Sequence, residues 1–73
     1  MISDKTTDSL VRMASAGASL KVDGEKFIPD SLVRIASSLQ PGAHLEICNS
    51  KKLTTDSCVR IASAGGDGGV LFS

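Results

Sequence analysis

Groups suited to chemistry are scarce in this chain, which has one histidine, His44, and two cysteines, Cys48 and Cys58, among 73 residues. The thiols fall outside any Cys-x-x-Cys spacing, are too few for a disulfide-built mini-protein, and form with His44 no cluster of metal-ligand spacing. Their even number is the sole argument for a Cys48–Cys58 disulfide. A Cys–His nucleophile would have to join His44 to Cys48, and four residues along a strand hold such groups about 13 Å apart on one face, beyond hydrogen-bond reach. No catalytic, metal-binding or cofactor-binding residue emerges, so a small enzyme or ligand-binding domain would need a site built between subunits.

Charge of one sign is lacking too: eight Lys and Arg against eight Asp and Glu leave no net charge to draw in nucleic acid or another acidic partner. Long hydrophobic runs are also missing. No stretch approaches the roughly 18 apolar residues of a membrane span, and Met1 to Ser9 has no apolar signal core. The chain therefore reads as soluble, unexported and cytoplasmic, with no membrane partner.

What the chain does contain is one segment written three times. The run Asp8-Ser-Leu-Val-Arg-Met-Ala-Ser15 returns at Asp30 to Ser37 and at Asp56 to Ser63. A period in the twenties is the mark of a solenoid-like array, in which each unit has an apolar face that its neighbours must cover. Each copy reads as a helix start. Thr54 can cap, Thr55 begins the helix, and Asp56 and Ser57 fall in the first turn, where a carboxylate favours the positive end of the helix dipole. Alignment puts Pro29 opposite Thr7 and Thr55, at the first helical position, where a missing N–H does no harm. At about 100° per residue, Leu10, Val11, Met13 and Ala14 form one apolar face roughly 160° wide. Leu32, Val33, Ile35 and Ala36 repeat it, as do Cys58, Val59, Ile61 and Ala62.

After each helix comes a glycine-containing stop and a short β-branched or alternating run: Leu20 to Val22, Ala43 to Cys48, and Val70 to Phe72. Leu20, Leu45 and Val70 are each 25 residues apart, which predicts stacked strands, and strands joined through a helix must run parallel to be neighbours. Phe27 and Leu53 hold equivalent places between strand and next helix and read as apolar anchors. The predicted fold is α/β: three tandem helix-strand units in a single domain, about residues 6–23, 28–48 and 54–73, with a small parallel sheet and all helices on one face.

Leu45-x-Ile47-x-Asn49 followed by Leu53, Cys58, Ile61 and Ala62 resembles the strand-plus-helix form of the leucine-rich repeat. Leu20-x-Val22 followed by Phe27, Leu32, Ile35, Ala36 and Leu39 does so too, and together the resemblance covers most of Leu20 to Phe72. It implies an interaction scaffold that binds through its open sheet face, and it implies no catalytic residues.

Three surfaces are candidates for binding. Arg12, Arg34 and Arg60 recur at one helical position and would line up in a column able to grip phosphates, the basis of an alternative nucleic-acid-binding function. Each lies opposite the apolar face, however, with Asp8, Asp30 or Asp56 four residues earlier, which predicts a neutralising pair along each helix. The Arg-x-x-Ser strings ending at Ser15, Ser37 and Ser63 look like phosphorylation sites, and copying of the unit already accounts for them. The second surface is the outward side of the sheet, where alternation turns Lys21, Glu46 and Leu71 away from the helices with His44 and Cys48 beside Glu46. The third is the edge formed by Val70, Leu71 and Phe72.

The run Gly65-Gly66-Asp67-Gly68-Gly69 follows a helix instead of preceding one and lacks the Gly-Lys-Ser/Thr of a phosphate loop, so it reads as a flexible connector. A thin core, an unpaired last strand and apolar Leu71 at that edge predict a self-associating module, most simply a two-fold homodimer pairing Val70–Phe72 antiparallel. The functional expectation is a protein-interaction or assembly module whose partners are itself and an unidentified protein.

Overall fold

The computed structural model describes residues 5–66 and 68–73. Residues 1–4, part of the stretch without a signal core, and Asp67, at the centre of the glycine run, lie outside the described residues. The chain alternates helix and strand: α1 (Thr7–Ser15), β1 (Leu20–Asp23), α2 (Pro29–Ser37), β2 (His44–Cys48), α3 (Thr55–Ala64) and β3 (Gly69–Phe72). One-turn 3-10 helices at Gly24–Lys26 and Ser50–Lys52 follow β1 and β2.

The helices begin where the capping residues stand. The Thr6 and Thr54 hydroxyls accept from the Ser9 and Ser57 amides at 3.2 and 3.1 Å, satisfying donors that have no partner inside the helix. Helix α2 differs, because Ile28 at its cap offers no side-chain acceptor and Pro29 opens the helix with no N–H to satisfy. After α1 the chain reverses through Gly17 at φ 105°, a conformation that L side chains rarely adopt.

The strands form one parallel sheet in the order β1-β2-β3, with Leu20 beside Leu45 and Leu45 beside Val70. The equal 25-residue spacing thus becomes hydrogen-bond register. Leu20, Val22, Leu45 and Ile47 turn to the helix side and share one core with Leu10, Ala14, Leu32, Ile35, Leu39 and Ile61. Phe27 and Leu53, at the ends of the 3-10 turns, are half-buried against that core, as their role of apolar anchors predicts.

Burial is not equal in the three copies. Leu10 and Leu32 are fully buried, whereas Cys58 at the same helical position is half-exposed. Ala14 and Ala36 are buried while Ala62 is exposed, and Val59 is 58 % exposed where Val11 and Val33 are half-covered. Of the apolar face expected on α3, Ile61 alone is buried, because α3 has α2 on one flank and no described element on the other. Val70 and Phe72 on edge strand β3 are half-buried for the same reason.

Gly65, Gly68 and Gly69 are closely packed positions in a run that composition alone reads as a loose connector. A side chain at Gly68 would come within 2.8 Å of the Ala43 carbonyl and 2.9 Å of Leu39 Cβ, and one at Gly65 within 2.6 Å of Val70. The Gly69 amide donates to Ala43 O at 3.1 Å and enters the sheet there. The glycines let backbone and side chains approach closely. Both cysteines are free thiols on different layers, Cys48 in β2 and Cys58 in α3.

The missing cap gives a direct test. Ile28→Thr should raise stability by about 0.5–1 kcal/mol by giving α2 the hydroxyl cap of its sister helices, and Thr54→Ala should lower it by about 1 kcal/mol. Urea-unfolding midpoints of the two variants check both signs.

Candidate interaction surface

Strand alternation turns Lys21, Glu46 and Leu71 to the side of the sheet away from the helices, and the parallel register sets them in one row. His44 opens β2 next to that row, its amide fixed by the Ser19 hydroxyl at 3.0 Å. Lys21, His44, Glu46 and Leu71, with Ser19 and Leu20, line one shallow concavity of about 420 Å³. Of the residues expected on the open sheet face, Lys21, His44, Glu46 and Leu71 line the concavity, and Cys48 is not part of its lining.

Its chemistry is mixed. Leu71 is 57 % exposed beside two polar groups. Lys21 and Glu46 are register neighbours but form no ion pair. The Glu46 carboxylate instead accepts from Ser73 Oγ at 3.4 Å and lies 3.9 Å from Cys48 Sγ. The final strand is tied down at its end, with Ser73 N donating to Ile47 O at 2.9 Å and Ser50 Oγ donating to Ser73 O at 2.9 Å.

The arginine column is exposed, as its place on the helices requires, but the pairing along each helix is not what forms. Arg34 reaches Asp8 at 3.0 Å and Arg60 reaches Asp30 at 2.8 Å, so each arginine takes the aspartate of the preceding unit. Helices stacked side by side bring the arginine of one level with the first turn of its neighbour, and the sequence spacing allowed either partner. Among the described residues this leaves Arg12 at one end of the stack and Asp56 at the other without an ion-pair partner. Two of the three guanidinium groups are thus engaged in exposed ion pairs.

A second link between units went unread in the sequence: Asn49, at φ 54°, donates to Asp23 Oδ1 at 3.1 Å, and the Glu25 amide donates to the same oxygen at 2.9 Å. The Glu25 amide foremost, then Asn49, hold the Asp23 carboxyl below its usual range, with Lys26 adding to the effect and burial opposing it. The signal was an asparagine at a position where the left-handed conformation is tolerated.

No buried side-chain polar atom lacks a partner, and no group of three His, Cys, Asp or Glu side chains is gathered for a metal ion, among the described residues. No helix among them is long and apolar enough to cross a membrane. Comparison with protein-family models, curated proteins and solved structures finds no match to this chain.

A double-mutant cycle should find Arg34 coupled to Asp8 by about 0.2–1 kcal/mol and not measurably to Asp30, with Arg12, Arg34 and Arg60 all replaced by Gln costing no more than about 1–2 kcal/mol. Coupling to Asp30 in place of Asp8 would reverse the pairing. Because the Asp23 pKa is depressed on folding, its contribution to stability is full above the unfolded carboxyl range and is lost as pH falls through the folded value. An NMR titration of the Asp23 carboxyl should give a midpoint below the free-peptide value of about 3.9, and Asn49→Gly should move that midpoint upward.

Proposed function

We propose that this chain is a protein-interaction module that assembles with copies of itself through the open edge of its sheet and offers the face of Lys21, His44, Glu46 and Leu71 to a protein partner. The observation that carries the reading is Leu71: a large apolar residue, 57 % exposed, on the outward side of the last strand and within a shallow concavity shared with four polar side chains. Isolated apolar residues on a surface are ordinary, but this one adjoins an unpaired strand edge, and open edges are where further chains pair. The leucine-rich-repeat-like pattern supports the same reading, since scaffolds of that kind bind through the open sheet face. Catalysis has less to support it. The polar neighbour of the Cys48 thiol is the Glu46 carboxylate at 3.9 Å, and no imidazole is its hydrogen-bond partner.

The native protein should associate at micromolar concentration, and Leu71→Lys should weaken association by about tenfold, because an exposed apolar side chain contributes on the order of one to two kcal/mol when covered. Light scattering over a dilution series reads both. A monomeric native protein would remove self-association from the function and leave the solvent-facing sheet alone.

A further inference from the structure

The joints between units are directional. Each helix presents one half-face to the unit that follows and a different one to the unit that precedes. The forward half carries Asp8, Val11 and Ala14 on α1, and Asp30, Val33 and Ala36 on α2; both alanines are buried, both valines are half-covered, and both aspartates hold the arginine of the next helix. The backward half carries Arg34 and Ile35 on α2, and Arg60 and Ile61 on α3; both isoleucines are fully buried. The same joint is therefore built twice within one chain.

The unused halves stand at opposite ends. At α3 the forward half consists of Asp56, exposed Ala62 and Val59, which is 58 % exposed. At α1 the backward half consists of Arg12 and half-buried Met13, which line a hollow of about 420 Å³ with Lys5, Ser9 and Ala16. One end thus offers a carboxylate and a protruding valine, and the other a guanidinium and a hollow. Their charges are complementary, and neither sheet edge, β1 or β3, has a further strand beside it among the described residues.

We propose that the α1 end of one chain receives the α3 end of a second copy, so that chains join head to tail through the joint already used between their own units. Asp56 pairs with Arg12 of the next copy, as Asp8 pairs with Arg34 and Asp30 with Arg60. β3 pairs parallel with β1 of that copy, and continuing the 25-residue offset sets Val70 beside Leu20 and Phe72 beside Val22. A two-fold dimer through β3 would bring Asp56 toward its own copy and leave Arg12 and Met13 uncovered. The head-to-tail contact covers both ends, and as a heterologous contact it continues into rings or filaments. This arrangement rests on the self-association proposed above.

Charge reversal at each end tests it. R12D alone and D56R alone should each raise the dissociation constant about three- to tenfold at low salt, since an exposed pair contributes little and its reversal adds repulsion. V59R, which sets a charge in the apolar part of the joint, should raise it by more than about tenfold. An equimolar mixture of R12D and D56R should associate again, because each reversed end then meets an opposite charge, and a variant that had merely failed to fold would not be rescued. Sedimentation equilibrium reads association, and circular dichroism reads the fold. Native association that R12D leaves unchanged would overturn the head-to-tail joint while sparing self-association. A native protein that stays monomeric would overturn both.

Discussion

A helix of nine or ten residues laid over a strand of four or five cannot bury its own apolar side. Each unit of this fold depends on the next one to cover it, and the rest of the structure follows from that need. The middle unit, with a neighbour on both flanks, has Leu32, Ile35 and Ala36 of α2 sealed from solvent. The first and last units are sealed only on the side where a neighbour stands. Met13 and Val59 are the residues that register the difference, one at each end. Stability in such an array is a sum of intrinsic unit terms and interface terms, and here two internal interfaces support three units.

The ion pairs of the outer face follow the same rule. An exposed arginine–aspartate pair contributes a few tenths of a kcal/mol, too little to decide whether the chain folds. Its value lies in direction. Because the aspartate always belongs to the earlier unit and the arginine to the later, the pairs mark the two sides of each joint as different, and they leave unlike charges at the two ends. Both pairs are well exposed, with 59 % and 57 % of the arginine side chains open to solvent, so salt weakens them.

The open side of the sheet is a different kind of surface. Parallel sheets usually have both faces covered, since crossover helices commonly pack on each side. With all three helices on one side, the strip of Lys21, Glu46 and Leu71 faces outward, and its composition is what an antiparallel half-buried sheet would show. The concavity there is shallow, and apolar Leu71 shares it with several polar groups.

Much of this was legible in the sequence, because local rules and repetition act together there. Threonine caps, Pro29 at a helix start and the 25-residue recurrence of strand residues each depend on neighbours along the chain or on the translation from one copy to the next. They placed the helices, the parallel order and the grouping of Lys21, His44, Glu46 and Leu71. What the sequence left undetermined were choices between partners of equal spacing. Arg34 has an aspartate four residues before it and another in the preceding unit, and only side-by-side packing of α1 and α2 selects Asp8. Composition reads Gly65 to Gly69 as a loose connector, and only the tertiary structure sets Gly65 against Val70 and Gly68 against Leu39 and Ala43. Likewise, three copies of one apolar face predict equal burial. Tertiary structure decides otherwise, because burial belongs to the pair of units in contact and not to the residue that carries the side chain.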